Sequence, residues 1–129
     1  MSRRLCAVAV LALACTKAEP EGDPSLVIVS PEDGATVCGD PLTIKVDVQD
    51  FQLVPLTGGD RVSPGTGHVD VFLNGQSATM VSEEMLSLDG VEDGEWQLKC
   101  ELVNADHTAL EPYVADLVYI TVDATACGD

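Results

Sequence analysis

Positive charge is scarce in this sequence of 129 residues. Six Lys and Arg stand against 22 Asp and Glu, which gives a formal net charge of -16 at pH 7. Such a surface repels the phosphates of nucleic acids, so we expect no nucleic-acid partner. Acidity accompanies disorder where apolar residues are few, but hydrophobic residues make up 46% of this chain. The composition therefore favours a folded domain with a strongly solvated surface.

Recognisable motifs of catalysis are also missing. The chain has no G-x-S-x-G, no Ser-x-x-Lys, no glycine-rich phosphate loop and no zincin motif. With two histidines in all, a Ser-His-Asp triad has few possible centres. We therefore predict a protein that is not an enzyme and requires no cofactor.

No apolar run is long enough to cross a bilayer core of about 30 Å as a helix. Leu5–Ala14 is a short uncharged run that follows two arginines, and this pattern is typical of a cleavable signal peptide, predicted here for residues 1–14. The run ends in Leu-Ala-Leu-Ala-Cys, which resembles a bacterial lipobox and implies a lipid anchor at Cys15. The A-x-A sequence just before Cys15 also fits ordinary signal peptidase, in which case the protein is secreted.

Residues 15–24 have no apolar periodicity and contain Pro, Gly and acidic residues. We read them as a flexible acidic linker that holds the following domain away from the membrane. Thr16, rather than Asp, follows the predicted lipidated cysteine, which resembles the default for outer-membrane sorting. The expected location is the cell envelope, as an outer-membrane lipoprotein that faces the periplasm or the exterior.

The remainder, residues 25–129, has the period-two pattern of strands with one buried face. Leu42, Ile44 and Val46 alternate with polar residues, and turn-forming pairs such as Asn74-Gly75 separate the runs. The predicted strands are Leu26–Ser30, Ala35–Val37, Leu42–Val48, Val69–Leu73, Ser77–Val81, Met85–Leu88, Glu95–Val103 and Ala115–Asp123. Short antiparallel strands without helical periodicity predict an all-β, immunoglobulin-like two-sheet sandwich of about seven strands.

Cysteine usage indicates one disulfide in an oxidising compartment. If Cys15 carries lipid, then Cys38, Cys100 and Cys127 remain. Cys100 alternates with apolar residues on the inward face of its strand, where a thiol behaves as a small hydrophobe. In an immunoglobulin-like sandwich the second half of the first strand lies beside the last strand, so we favour a Cys38–Cys127 pair. Cys38–Cys100 is the alternative.

The two histidines fall at positions that such a sandwich brings to one end. His68 and Asp70 leave the same face of one strand, and Asp106 and His107 lie in the loop between the last two strands. Two imidazoles with one or two carboxylates suit copper or zinc, so weak binding of one of these metals is the alternative function. Otherwise both are ordinary surface histidines, or bond to loop carbonyls.

A possible partner surface follows from the same strand assignment. Phe72, Leu117 and Tyr119 are expected on the solvent side of neighbouring strands, where together they form an exposed apolar patch. The leading functional prediction is thus a lipid-anchored envelope module that binds an unknown protein or glycan, or has a structural role.

Several segments, in order along the domain, resemble a bacterial envelope domain of unknown function. That family reads P-x-D-G-A-x-V, then G-H-H-H, then D-x-x-H; here Pro31–Val37, Gly65–His68 and Leu102–His107 stand at those places. The resemblance implies an immunoglobulin-like module with histidines gathered at one end and no established activity. This chain departs from the pattern, because Val69 and Asp70 replace further histidines and Leu110 replaces another.

Overall fold

The computed structural model describes residues 22–58 and 61–128. Within them the chain forms nine β-strands in two sheets and two short 3-10 helices. The predicted signal segment 1–14, Cys15 and the linker as far as residue 21 lie outside the described residues. Of the helices in the described part, none is long and apolar enough to cross a membrane.

The strands follow the predicted positions closely. They are β1 Ser25–Ser30, β2 Thr36–Val37, β3 Leu42–Gln49, β4 Gln52–Leu53, β5 Thr66–Leu73, β6 Gln76–Val81, β7 Met85–Leu88, β8 Gly94–Asn104 and β9 Ala115–Val122. The 3-10 helices span Leu56–Gly58 and Ala124–Cys127. The short strand β4 was not predicted, because two residues cannot show an alternating pattern.

The smaller sheet has the strand order β1-β3-β7, and all its pairs are antiparallel. Leu42, Ile44 and Val46 on β3 are buried, whereas the residues between them are exposed. Burial of alternate positions on one face is the arrangement that the period of two predicts.

The larger sheet has the order β2-β9-β8-β5-β4, and β6 also pairs with β5. Its inward face packs on the smaller sheet through one continuous cluster of buried residues; those of β8 and β9 are Leu98, Cys100, Leu102, Val118, Ile120 and Val122. Two sheets around one apolar core, with no α-helix in the described chain, confirm the predicted immunoglobulin-like sandwich.

The first strand divides between the sheets, since β1 pairs with β3 and β2 pairs in parallel with β9. This places Cys38, just after β2, beside Cys127 in the 3-10 helix after β9. The two form a disulfide with their Cα atoms 4.5 Å apart, which agrees with the favoured pairing. Cys100 is a free, buried cysteine, and burial raises the pKa of its thiol to about 12.

One backbone donor at the outer edge of β1 is paired with a side chain of the larger sheet. The backbone N–H of Ile28 donates a hydrogen bond of 2.8 Å to the Asp116 carboxylate on β9. An unpaired edge N–H is a template for pairing with another chain, so this carboxylate both satisfies the donor and blocks the edge.

Candidate functional site

His68 lies near the start of β5, and Gly67 determines how close this strand comes to β8. A Cβ at position 67 would collide with the backbone oxygen of Val103, so the two strands require glycine here to approach each other. The cross-strand partner of His68 is Val103 itself. The imidazole is thereby placed on the outer face of the larger sheet, opposite the core-facing residues Val69 and Val71.

His68 is nevertheless only 1% exposed. Beyond β8 the chain turns back beside this strand, where Ala109 bridges to Val103 and Ala105 is buried. Neither imidazole nitrogen of His68 has a hydrogen-bond partner among the described residues. The expectation of a surface histidine, or of one bonded to a loop carbonyl, is therefore wrong for His68.

His107 lies in the loop that follows β8, at the tip of a tight turn. Its N–H donates to the Asn104 carbonyl at 2.8 Å, and its φ is 73°, in the left-handed region. The side chain is exposed. Its ring lies 6.1 Å from that of His68, centroid to centroid, with 67° between the ring planes. The predicted approach of the two histidines thus takes place in the structure.

Asp70, two residues after His68 on the same face, accepts a hydrogen bond of 3.2 Å from the Ser77 hydroxyl. Partial burial raises the pKa of its carboxyl above the usual range, and the negative charge of Glu101, its cross-strand neighbour, adds to this. The charge of nearby His107 acts in the opposite direction.

Asp106, the second predicted carboxylate, lies in the turn and is hydrogen-bonded to Thr108. Its Oδ1 accepts hydrogen bonds from the backbone N–H of Thr108 at 3.1 Å and from its hydroxyl at 2.6 Å, and these bonds lower the pKa of the Asp106 carboxyl. The carboxylate therefore stabilises the turn that carries His107. Across residues 22–58 and 61–128, no three His, Cys, Asp or Glu side chains are grouped so that they could hold a metal ion.

The outer-face patch, defined here as Phe72, Leu117 and Tyr119, lies on the solvent side of the larger sheet. Lys99 on β8 stands between Phe72 and Leu117 in register, with its ammonium 4.7 Å from the centre of the Phe72 ring. Leu117 is 37% exposed and Tyr119 is 56% exposed. The three predicted residues therefore do share one face, with a lysine among them.

Tyr113 belongs to this face but was not predicted from the sequence. Its hydroxyl donates to Glu101 at 3.0 Å and accepts a hydrogen bond of 3.1 Å from the Lys99 ammonium. The bond to Tyr113 raises the pKa of Lys99. Tyr113 comes from the loop rather than from a strand, so no alternation could have placed it; its proximity to the exposed patch depends on how that loop folds.

A shallow groove of about 430 Å³ adjoins the patch at Tyr119. Asn74, Glu95 and Gln97 are among the residues that line it. Asn74 accepts a hydrogen bond from the Gln97 N–H, and the Gln97 amide donates to the Tyr119 hydroxyl at 3.2 Å. The patch thus has a polar border on this side.

Comparison with known proteins supports the fold alone. No known family model matches the chain, and no curated protein matches it. Among solved structures, the fibronectin(III)-like modules of Clostridium thermocellum CbhA align with a TM-score of 0.52 and 18% identity, over 79% of this chain and 48% of that one. An engineered protein aligns with a TM-score of 0.50 and 15% identity, over 78% of this chain and 20% of its own length. The chain therefore shares its fold with part of each of these longer chains, the first of which consists of fibronectin(III)-like modules.

Proposed function

We propose that this chain is a lipid-anchored module of the cell envelope, without catalytic activity, which binds another protein through the outer-face patch. The observation that carries the proposal is the cross-strand row Phe72–Lys99–Leu117, next to the exposed ring of Tyr119. An exposed group of apolar and aromatic side chains with a polar border is the composition of a protein interface.

Charge adds to the argument for this face. Lys99 is one of three Lys and Arg residues in the domain, and its ammonium lies above the Phe72 ring and 3.6 Å from the Glu101 carboxylate. The centre of the patch thus carries a neutralised cation, whereas much of the remaining surface is acidic. A partner that covers this face avoids most of the repulsion that the acidic surface creates.

The location rests on the amino terminus and is supported by the disulfide. The short apolar run and the lipobox-like Cys15 favour an exported, anchored protein. A disulfide between Cys38 and Cys127 persists in oxidising compartments such as the periplasm or the cell exterior.

Metabolic labelling with a palmitate analogue tests the anchor. We expect the wild-type protein to take the label and the Cys15→Ala variant to lose it. A wild type that takes no label, or a variant that labels equally, would refute the anchor and leave a secreted protein.

Photo-crosslinking from position 119 tests the binding face. We expect a discrete adduct in envelope preparations that disappears when Leu117→Asp is added. Met85→Asp is the matched control, because Met85 is 55% exposed on the outer face of the smaller sheet and also stands opposite a lysine, Lys45. The control should leave the adduct intact.

Two results would contradict the protein partner. An adduct whose added mass is removed by glycosidases would show that the occupant is a glycan. An adduct that survives Leu117→Asp, or is lost equally with Met85→Asp, would show that the outer-face patch is not the binding surface.

A further inference from the structure

The His68 imidazole is a buried polar group whose hydrogen-bonding capacity is unused among the described residues. Both ring nitrogens are without hydrogen-bond partners among the described residues, and the side chain is almost fully buried. An unsatisfied buried polar group costs about 1–3 kcal/mol, so native proteins rarely retain one without a reason. This unsatisfied imidazole lies at the end of the sheet, beside the second histidine.

The distance between the two rings fits a shared metal ion. A bond from a metal ion to an imidazole nitrogen is about 2.1 Å long, and the ring centre lies about 1.2 Å beyond that nitrogen. Two imidazoles on one ion therefore have ring centres about 5.4 Å apart at a tetrahedral angle and about 6.6 Å apart when they lie on opposite sides of the ion. The observed separation of 6.1 Å lies within that range. The two ring planes are inclined at 67° to each other, and two imidazoles can hold one ion at such an inclination.

The electrostatic surroundings favour a cation at this point. Asp70 follows His68 by two residues on the same face, and its cross-strand partner is Glu101. The Glu101 carboxylate is in contact with the Lys99 ammonium and the Tyr113 hydroxyl. The Asp70 carboxylate, by contrast, accepts a hydrogen bond from the neutral Ser77 hydroxyl. A divalent ion near His68 would supply positive charge beside the Asp70 carboxylate.

We propose that His68 and His107 are the two imidazole ligands of a divalent transition-metal site, with Asp70 as the nearest carboxylate available to the same ion. The site is separate from the outer-face patch and does not depend on the proposed partner. Zn(II) and Cu(II) suit imidazole and carboxylate ligands. Water supplies the remaining positions, since the described residues present no third ligand already in place.

The two ligands differ in how firmly the fold holds them. His68 is fixed by the strand and by Gly67, which lets β5 approach β8. His107 is exposed and stands on a turn, so its ring can adjust to the ion. Asp106 is left out of the proposed ligand set, because its Oδ1 already accepts two hydrogen bonds from Thr108.

Calorimetric titration of the full chain with Zn(II), free of any affinity tag and with its accessible thiols alkylated, tests the site. We expect one saturable ion per chain. His107→Asn removes the imidazole and tolerates the left-handed backbone at position 107, and it should weaken binding at least tenfold. Asp106→Asn is the matched control in the same turn, because it keeps the oxygen that Thr108 contacts, and it should change affinity less than twofold.

Imidazole nitrogen NMR gives a second measurement that does not require a variant at the buried position. The chain has two histidines, so the spectrum of His107→Asn identifies the signals of His68. One equivalent of Zn(II) should shift both sets of signals in the wild type.

Several results would overturn the proposal. One is a wild type without a saturable site. Another is an equal affinity in the wild type and in His107→Asn. Either result would mean that scattered surface carboxylates collect the ion. An equal loss in both variants would show that the turn, rather than the imidazole, is responsible. Unshifted His68 signals at saturation would exclude His68 as a ligand.

Discussion

Removal of the Cys38–Cys127 disulfide should be the most damaging change to stability in this domain that leaves its fold intact. The bridge joins positions separated by 89 residues, and closing a loop of that length restricts the unfolded chain by about 4.5 kcal/mol in the chain-entropy treatment. Domains of this size are stable by about 5–15 kcal/mol in all. The Cys38→Ser, Cys127→Ser double variant should therefore lose a large part of its free energy of unfolding.

Folding should survive this change, because the disulfide is not what brings the two segments together. The pairs Thr36–Thr121 and Val37–Val122 join β2 to β9, and the Asp123 N–H also donates to the Val37 carbonyl at 2.9 Å. We expect the double variant to keep the far-ultraviolet circular dichroism of the wild type, with a midpoint of thermal unfolding lower by about 20 °C.

Urea unfolding of the wild type, the double variant and the reduced wild type provides the measurement. Reduction should bring the wild type to the stability of the variant and leave the variant unchanged. A loss below about 1 kcal/mol would refute the argument from loop closure. Peptide mapping that finds Cys100 in the bridge would refute the pairing itself.

Three smaller predictions concern single residues. Asp70→Asn should stabilise the protein by a few tenths of a kcal/mol near neutral pH. The pKa of Asp70 is higher in the folded state than its unfolded value of 3.8, so the wild type loses stability as pH rises from 3.8 through the folded pKa. In urea unfolding, the greater stability of the Asn variant should therefore vanish below pH 3.8. Cys100, buried and with a pKa of about 12, should react with iodoacetamide only in urea, and alkylation of the native protein near pH 8 would contradict its burial. Asp116→Ala should lower the free energy of unfolding by about 1–3 kcal/mol, because it leaves the Ile28 N–H without its acceptor. The variant should also scatter more light, since β1 becomes free to pair with another chain. A variant as stable and as soluble as the wild type would show that this bond is unimportant.

Strands such as β3 were predictable because one face is buried and the other is exposed to solvent. On β3 the alternation of Leu42, Ile44 and Val46 with polar residues directly reports which side meets the core. The disulfide was predictable for a related reason, since the sandwich topology determines that the first and last strands are neighbours. In both cases the decisive information lies in a regular pattern or in a known architecture.

The burial of His68 was not predictable, because alternation correctly places it on the outer face, where a side chain is expected to be exposed. The loop after β8 returns to pair Ala109 with Val103 and brings the His107 ring to 6.1 Å from the His68 ring. The contact of Tyr113 with Lys99 arises in the same way. Irregular loops have no period, so their contacts depend on backbone angles such as the left-handed one at His107.

The division of the first strand between two sheets also has a mechanical consequence. Tension that enters from the side of Ser25 reaches β1 first, and β1 can separate from β3 while the larger sheet is still intact. Once β2 has also come away from β9, release of the chain ends at Cys38, where the covalent bond to Cys127 transfers the load to the segment after β9. The chain released before this point extends by at most about 45 Å, at about 3.4 Å per residue. A module tethered in this way would lengthen by a fixed amount under strain and then hold, with the core of β5, β8 and β9 protected from the pull.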